Sequence, residues 1–220
     1  MEGCGEELAG AATKEALADL LPEGYLRVSL AGALALAGER REPFLYEASL
    51  DRDYLAGLST RAAALGGEGA ALAAGLAGQE AAAFNLMLAA RGRFFHDFEK
   101  KDLLPLFAPG PCMDIKKFSR LLSAGAAGEL RALASGSAVE PGPPEPDLSA
   151  LEALAWRRYA RLAGRALRRG HMGGGAVAAY LALRRIETAN LGSVSEGLRL
   201  KLEAGALLGR LIPRAEAADV

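Results

Sequence analysis

Asn85 and Asn190 are the only asparagines in the chain; each is followed by leucine, and they stand 105 positions apart. The same offset relates Tyr54 to Tyr159, Glu47 to Glu152, Arg52 to Arg157, Gly69 to Gly174 and Gly92 to Gly197, and it also pairs Leu103 with Leu208 and Leu106 with Leu211. Alanine matches are cheap in so alanine-rich a chain, so rare residues carry the argument, which is for an internal duplication. Each unit reads as a helix bearing the tyrosine (48–65 and 150–169), a glycine turn, and a longer helix with the asparagine near its centre (70–92 and 176–198). A short leucine-rich helix closes each (98–107 and 200–212).

Composition agrees with helices. Half of the residues are apolar (51%) but only 6% are aromatic, and alanine, leucine and arginine favour helix while the β-branched and aromatic strand formers are thin. The expectation is an all-α protein of tandem three-helix repeats, two of them found. Residues 1–46 form an N-terminal helical segment, with helix across 6–38, followed by a first repeat over 47–134. SGSAVEPGPPEPDLS, 135–149, is a proline-rich linker that excludes helix, and the second repeat spans 150–220. Ser149 and Glu152 match a capping box for the helix that follows the linker.

A net charge of −1 and an acidic pI of about 6.2 argue against nucleic acid as a partner. Cys4 and Cys112 are far apart and lack ligand spacing, so no disulfide framework, metal site or cofactor is indicated. MEGCGEELAG is acidic rather than basic-then-apolar, unlike a secretory leader. VSLAGALALAG, 28–38, is too short to span a bilayer. A cytoplasmic protein is expected, able to dock on a membrane complex.

No group reads as catalytic. His96 and Asp97 are sequence neighbours, which do not face each other on a helix, and no nucleophile accompanies them. HMGGG, which includes His171, lacks the lysine of a phosphate loop. Phe94, Phe95 and Phe98 read as core. Glu187 and Asn190 share a helical face and read as a structural pair, because Ala82 occupies the position equivalent to Glu187. Arg157, Arg161, Arg165 and Arg168 fall on one stripe, a solvated face or a surface for an acidic partner or lipid headgroups.

YEASLDRDYLAGL, with Glu47, Leu50, Asp51, Arg52 and Tyr54, is followed by FNLMLAARGR, with Asn85, Leu86, Arg91 and Arg93. In the second half the corresponding stretch carries Tyr180, Leu181, Glu187, Asn190, Leu191 and Gly197. This arrangement resembles the C-type central-stalk component of bacterial and archaeal V/A-type ATPases, whose eukaryotic relative is the d-type component of the V-ATPase. KKDLLPLFAPGPCMDIKKFSRLLSAG is similar to the stretch that follows a repeat in that family. The chain departs from the family at Met87 and Gly192, where a basic residue is usual, and at Glu196 and Leu198, where the basic pair of the first repeat is lost. Family members carry three such repeats.

The resemblance implies a funnel-like, non-catalytic rotor part of the central stalk. Such a part sits on the membrane proteolipid (c/K) ring, receives the D–F axle in its concave face, and passes torque for ATP-linked proton or sodium transport. It lies on the cytoplasmic side, peripheral to the membrane, with the membrane stator as a further contact. Tyr54, Asn85, Tyr159, Glu187 and Asn190 are then structural, and the arginine stripe a partner surface. A helical adaptor or regulator without a rotor role is the second reading.

Overall fold

The computed structural model describes residues 13–38, 42–136, 145–170 and 173–212. Among these, secondary structure is helical with no strand, as an alanine- and leucine-rich chain poor in strand formers should be. Residues 1–12, most of the proline-rich linker and His171 lie outside the described residues. The chain divides into two units, Met1–Tyr54 and Leu55–Val220.

In the first unit, helix α1 (Lys14–Leu20) is capped by Thr13, whose hydroxyl oxygen accepts from the Ala16 N–H at 3.1 Å. It packs on α2 (Tyr25–Ala37), which buries Ser29, Ala33 and Ala37. Helix α3 (Pro43–Ala64) begins on proline, whose fixed φ and missing N–H suit a first turn, and runs across the division between the units.

The second unit is organised by three long helices that all pack on one another: α4 (Gly67–Phe94), α8 (Leu148–Arg169) and α9 (Gly174–Arg199). Leu76, Tyr159, Ala160, Ala163, Ala166, Ala179, Ala182 and Ile186 form their shared core. So many alanines let the helix axes approach closely. Gly69 and Gly175 take this furthest: a β-carbon on Gly69 would lie 2.4 Å from the Gly175 nitrogen. Between α3 and α4 the chain turns on Gly66 and Gly67, at φ of 68° and 67°, a region that L side chains rarely enter.

After α4 come α5 (Lys100–Leu103), a 3₁₀ turn (Leu104–Leu106), α6 (Ile115–Leu122) and α7 (Ala127–Ser135). Helix α6 packs on α4 and α7 and buries Phe118, Leu121 and Leu122. Helix α7 is an element beyond the sequence expectation. A last short helix, α10 (Ala204–Leu208), packs on α9.

Two sequence expectations need correction. The cap of α8 is Asp147, which accepts from the Ala150 N–H at 3.1 Å and from the Ser149 hydroxyl at 2.7 Å; Glu152 instead takes the Trp156 indole N–H at 3.4 Å. Aspartate outcompetes serine because its carboxylate is acceptor-only and favours the positive end of the helix dipole. The second concerns register. The turn after α4 holds one residue more than the turn after α9, with Asp97 and Lys201 (φ 52° and 53°) as the two left-handed residues. Each turn then closes with the same bond, Phe98 N–H to the Gly92 carbonyl and Leu202 N–H to the Gly197 carbonyl, both at 2.9 Å. Beyond this point the offset is one residue shorter. Gly92 therefore lies against Leu103 and Gly197 against Leu207, not Leu208.

Candidate functional site

Both asparagines clip a returning strand of chain to a long helix. Asn85 Nδ2 donates to the Ala108 carbonyl at 2.8 Å, and the Ala108 N–H donates to Asn85 Oδ1 at 2.9 Å. Asn190 Nδ2 donates to the Ile212 carbonyl at 3.2 Å, and the Ile212 N–H donates to Asn190 Oδ1 at 2.9 Å. A primary amide can mimic a peptide group in this way, offering one donor and one acceptor in a plane. Asn85 is fully buried, whereas Asn190 and Ile212 are half-buried. Glu187 is not part of the second clip: it pairs with Arg184 one turn away.

A second polar feature ties the three long helices together. The Tyr159 hydroxyl donates to Glu80 Oε1 at 2.6 Å, and Arg185 donates to Glu80 Oε2 at 2.5 Å. The Arg185 guanidinium also lies 5.8 Å from the centre of the Trp156 ring, which meets Tyr159 edge to face at 5.9 Å. Glu80 and Arg185 themselves obey the 105-residue offset. Sequence reading missed Glu80, because a glutamate facing an arginine at that offset is not a match of like residues. Tyr54, the counterpart of Tyr159, is 56% exposed.

Burial, then the hydrogen bond to Glu80 and its charge, push the Tyr159 phenol well above its ordinary value. An unfolded phenol ionises near about 10, so above that pH the unfolded chain sheds a proton that the folded chain keeps. The sign is therefore fixed: this contribution is fully present below about pH 10 and is lost as pH rises further. Between about pH 9 and about pH 11, the urea midpoint of the native chain should fall more steeply than that of Tyr159→Phe; equal slopes would contradict it.

Outward from this clasp lie Arg157, Arg161, Arg165 and Arg168, all exposed. The buried residues of α8, including Leu151, Ala155, Tyr159 and Ala163, point the opposite way. Among the described residues none of these four arginines forms an ion pair. On α9 a stripe of large apolar residues is also exposed, including Val177, Tyr180, Leu181 and Leu191. At its foot an open groove of about 370 Å³ runs between Ala160 of α8 and Leu183, Ile186, Glu187 and Asn190 of α9.

His96 stacks on Phe98 with ring centres 5.7 Å apart, in the turn that ends α4. Of the phenylalanines read as core, Phe98 is buried and Phe94 half-buried, but Phe95 is 48% exposed. The helix ends at Phe94, so the Phe95 side chain leaves the packed face. Among the described residues no group of three or more His, Cys, Asp or Glu is placed to hold a metal ion.

The family model of the ATP synthase (C/AC39) subunit matches residues 4–207. The chain belongs to that family. Comparison with curated proteins and with solved structures returns no match. C/AC39 chains are subunits of V/A-type ATPases, and the match takes in both asparagine-bearing helices, the clasp and the arginine stripe. Among the described residues of this C/AC39 chain, no helix is long and apolar enough to cross a membrane.

Proposed function

We propose that this chain is a non-catalytic rotor part of the central stalk of a V/A-type ATPase or ATP synthase. It joins the D–F axle to the membrane proteolipid ring and passes torque between them, with proton or sodium transport as the outcome. It works on the cytoplasmic side, peripheral to the membrane, and the membrane stator is a neighbour it passes in rotation. The supporting observation is the C/AC39 family match across residues 4–207.

A torque coupler needs stiffness rather than reactive groups. Three features supply it here: helices packed on alanine and glycine, the clasp on Glu80, and short helices pinned to α4 and α9 by asparagine amides. A duplicated architecture is part of the same proposal, with the halves related by the 105-residue offset and with Tyr54, Asn85, Tyr159, Glu187 and Asn190 in structural roles.

The test is co-purification of the tagged chain with the D–F axle from the same source, with light scattering to count copies. The rotor reading predicts a discrete complex with one copy of this chain. A folded, helical chain that binds neither the axle nor the purified proteolipid ring would favour an adaptor or regulator instead.

A further inference from the structure

The face of α4 that meets α8 can be read residue by residue. Leu72 and Leu76 join Tyr159, Ala163 and Ala166 in the shared core. A β-carbon on Gly75 would lie 3.8 Å from the Leu162 Cδ2 atom. Gln79, Ala83 and Leu86 share a small cavity with Leu154, Ala155 and Arg158. Moved on by 105 positions, these six α4 residues become Val177, Tyr180, Leu181, Arg184, Thr188 and Leu191 of α9. All six are exposed, the four apolar ones by 54–64%. The face that seats a helix on α4 is thus repeated on α9 with no helix of the described residues seated on it, and Val177, Tyr180 and Leu181 show that it has kept apolar residues in contact with water. Ungrouped exposed apolar residues need no explanation, but a set at helical spacing along about 20 Å marks an interaction surface.

Charge specifies the visitor. Where Gln79 of α4 lines a cavity with Arg158, the equivalent residue of α9 is Arg184, a cation that also pairs with Glu187 on its own helix. The groove beside this face is walled on the α8 side by Ala160, which is flanked by Arg157 and Arg161, both exposed and without an ion pair among the described residues. The exposed residues of α9 stand at the spacing that seats a helix on α4, which favours a helix as visitor over a membrane surface, to which that spacing is indifferent.

We propose that the outer face of α9 seats an acidic amphipathic helix from a partner polypeptide, packed on α9 as α8 packs on α4. A carboxylate stands on that helix where Arg158 stands on α8. The packing between α4 and α8 is continued by one further step, with the partner supplying the next helix of the array. This does not depend on the rotor assignment, since failure of the experiment below leaves axle binding untouched.

The probe is a fluorescent synthetic peptide of residues 147–169 made acidic by Arg157→Glu, Arg161→Glu, Arg165→Glu and Arg168→Glu, with and without Arg158→Glu, titrated into the full chain. The peptide carrying Arg158→Glu should bind more tightly than the one that keeps Arg158, and Arg184→Glu in the chain should reverse that order. Leu181→Asp with Leu191→Asp should weaken binding by about tenfold or more, as expected for central apolar anchors. These positions are exposed, so an unchanged circular dichroism melt will show that the fold is intact. Absence of binding by both peptides, or binding indifferent to all three chain substitutions, overturns the proposal. So does self-association of the chain that the Leu181→Asp pair abolishes, which would make a second copy the occupant. Binding to phosphatidylserine vesicles that is lost in Arg157→Glu with Arg161→Glu would overturn it in favour of lipid.

Discussion

Asn85→Ala should lower the thermal midpoint of the chain by roughly 10 °C, against only a few degrees for Asn190→Ala. In both cases the alanine removes a donor and an acceptor from a backbone peptide. Ala108 is wholly buried, so its N–H and carbonyl would be left without partners and without water. A buried unsatisfied group costs about 1–3 kcal/mol, and the two together amount to about 3 kcal/mol, since they share one peptide environment. For a chain of this size each kcal/mol moves the midpoint by roughly 2–4 °C. Ile212 is half-buried, water can replace the lost amide, and the expected cost is about 1 kcal/mol. Differential scanning calorimetry on the two variants side by side checks both the size and the order. Equal shifts would mean that the two clips do not differ in burial as described.

The crossing of α4 and α9 yields the second large effect, and it carries its own control. A β-carbon on Gly69 would stand 2.4 Å from the Gly175 nitrogen and 3.1 Å from the Gly174 carbonyl carbon. These are backbone atoms of a packed helix and cannot swing aside as a side-chain tip does. Gly69→Val must therefore push the two helices apart, at a cost of about 3 kcal/mol. Gly69→Ala should also destabilise, by less, because alanine returns up to about 1 kcal/mol of helix propensity. Gly192→Ala tests the sign. Its β-carbon meets nothing within 4 Å, so only the propensity acts and the chain should gain roughly 0.5–1 kcal/mol. Urea unfolding of the three variants measures all of these. A neutral Gly69→Val would show that the helices do not cross where the two glycines meet.

Much of this was legible in the sequence because the rare residues do mechanical jobs. Each asparagine sits where an amide must hold a backbone, and Gly69 and Gly92 sit where another chain segment presses on a helix. The 105-residue offset is therefore readable in them and not in the alanines, which match anywhere. Helix runs and breaks were legible for the usual reasons, proline and paired glycines at the boundaries and helix formers between.

What escaped the sequence depends on neighbours in space. Glu80 looks like any surface glutamate until α8 brings the Tyr159 hydroxyl to one oxygen and α9 brings Arg185 to the other. The additional residue near His96 is invisible as text, because leucines are frequent enough that Leu208 matches as well as Leu207. The outer residues of α9 follow the same pattern as their α4 counterparts, yet Leu86 is buried and Leu191 is not. Burial there is decided by whether another described helix packs on that face, which no local pattern records. The arginine stripe was readable as a stripe, but its orientation away from the core came only with the packing of α8.

The central claim is that this C/AC39 chain couples two machines without doing chemistry itself. Membrane vesicles from cells lacking the chain, assayed for ATP hydrolysis and for ATP-driven proton or sodium uptake with and without purified protein added back, test it most directly. The account predicts that the deleted vesicles take up no ion on adding ATP, and that the purified chain restores uptake together with its sensitivity to ATP. Undiminished ATP-driven uptake in vesicles wholly lacking the chain would contradict a rotor role.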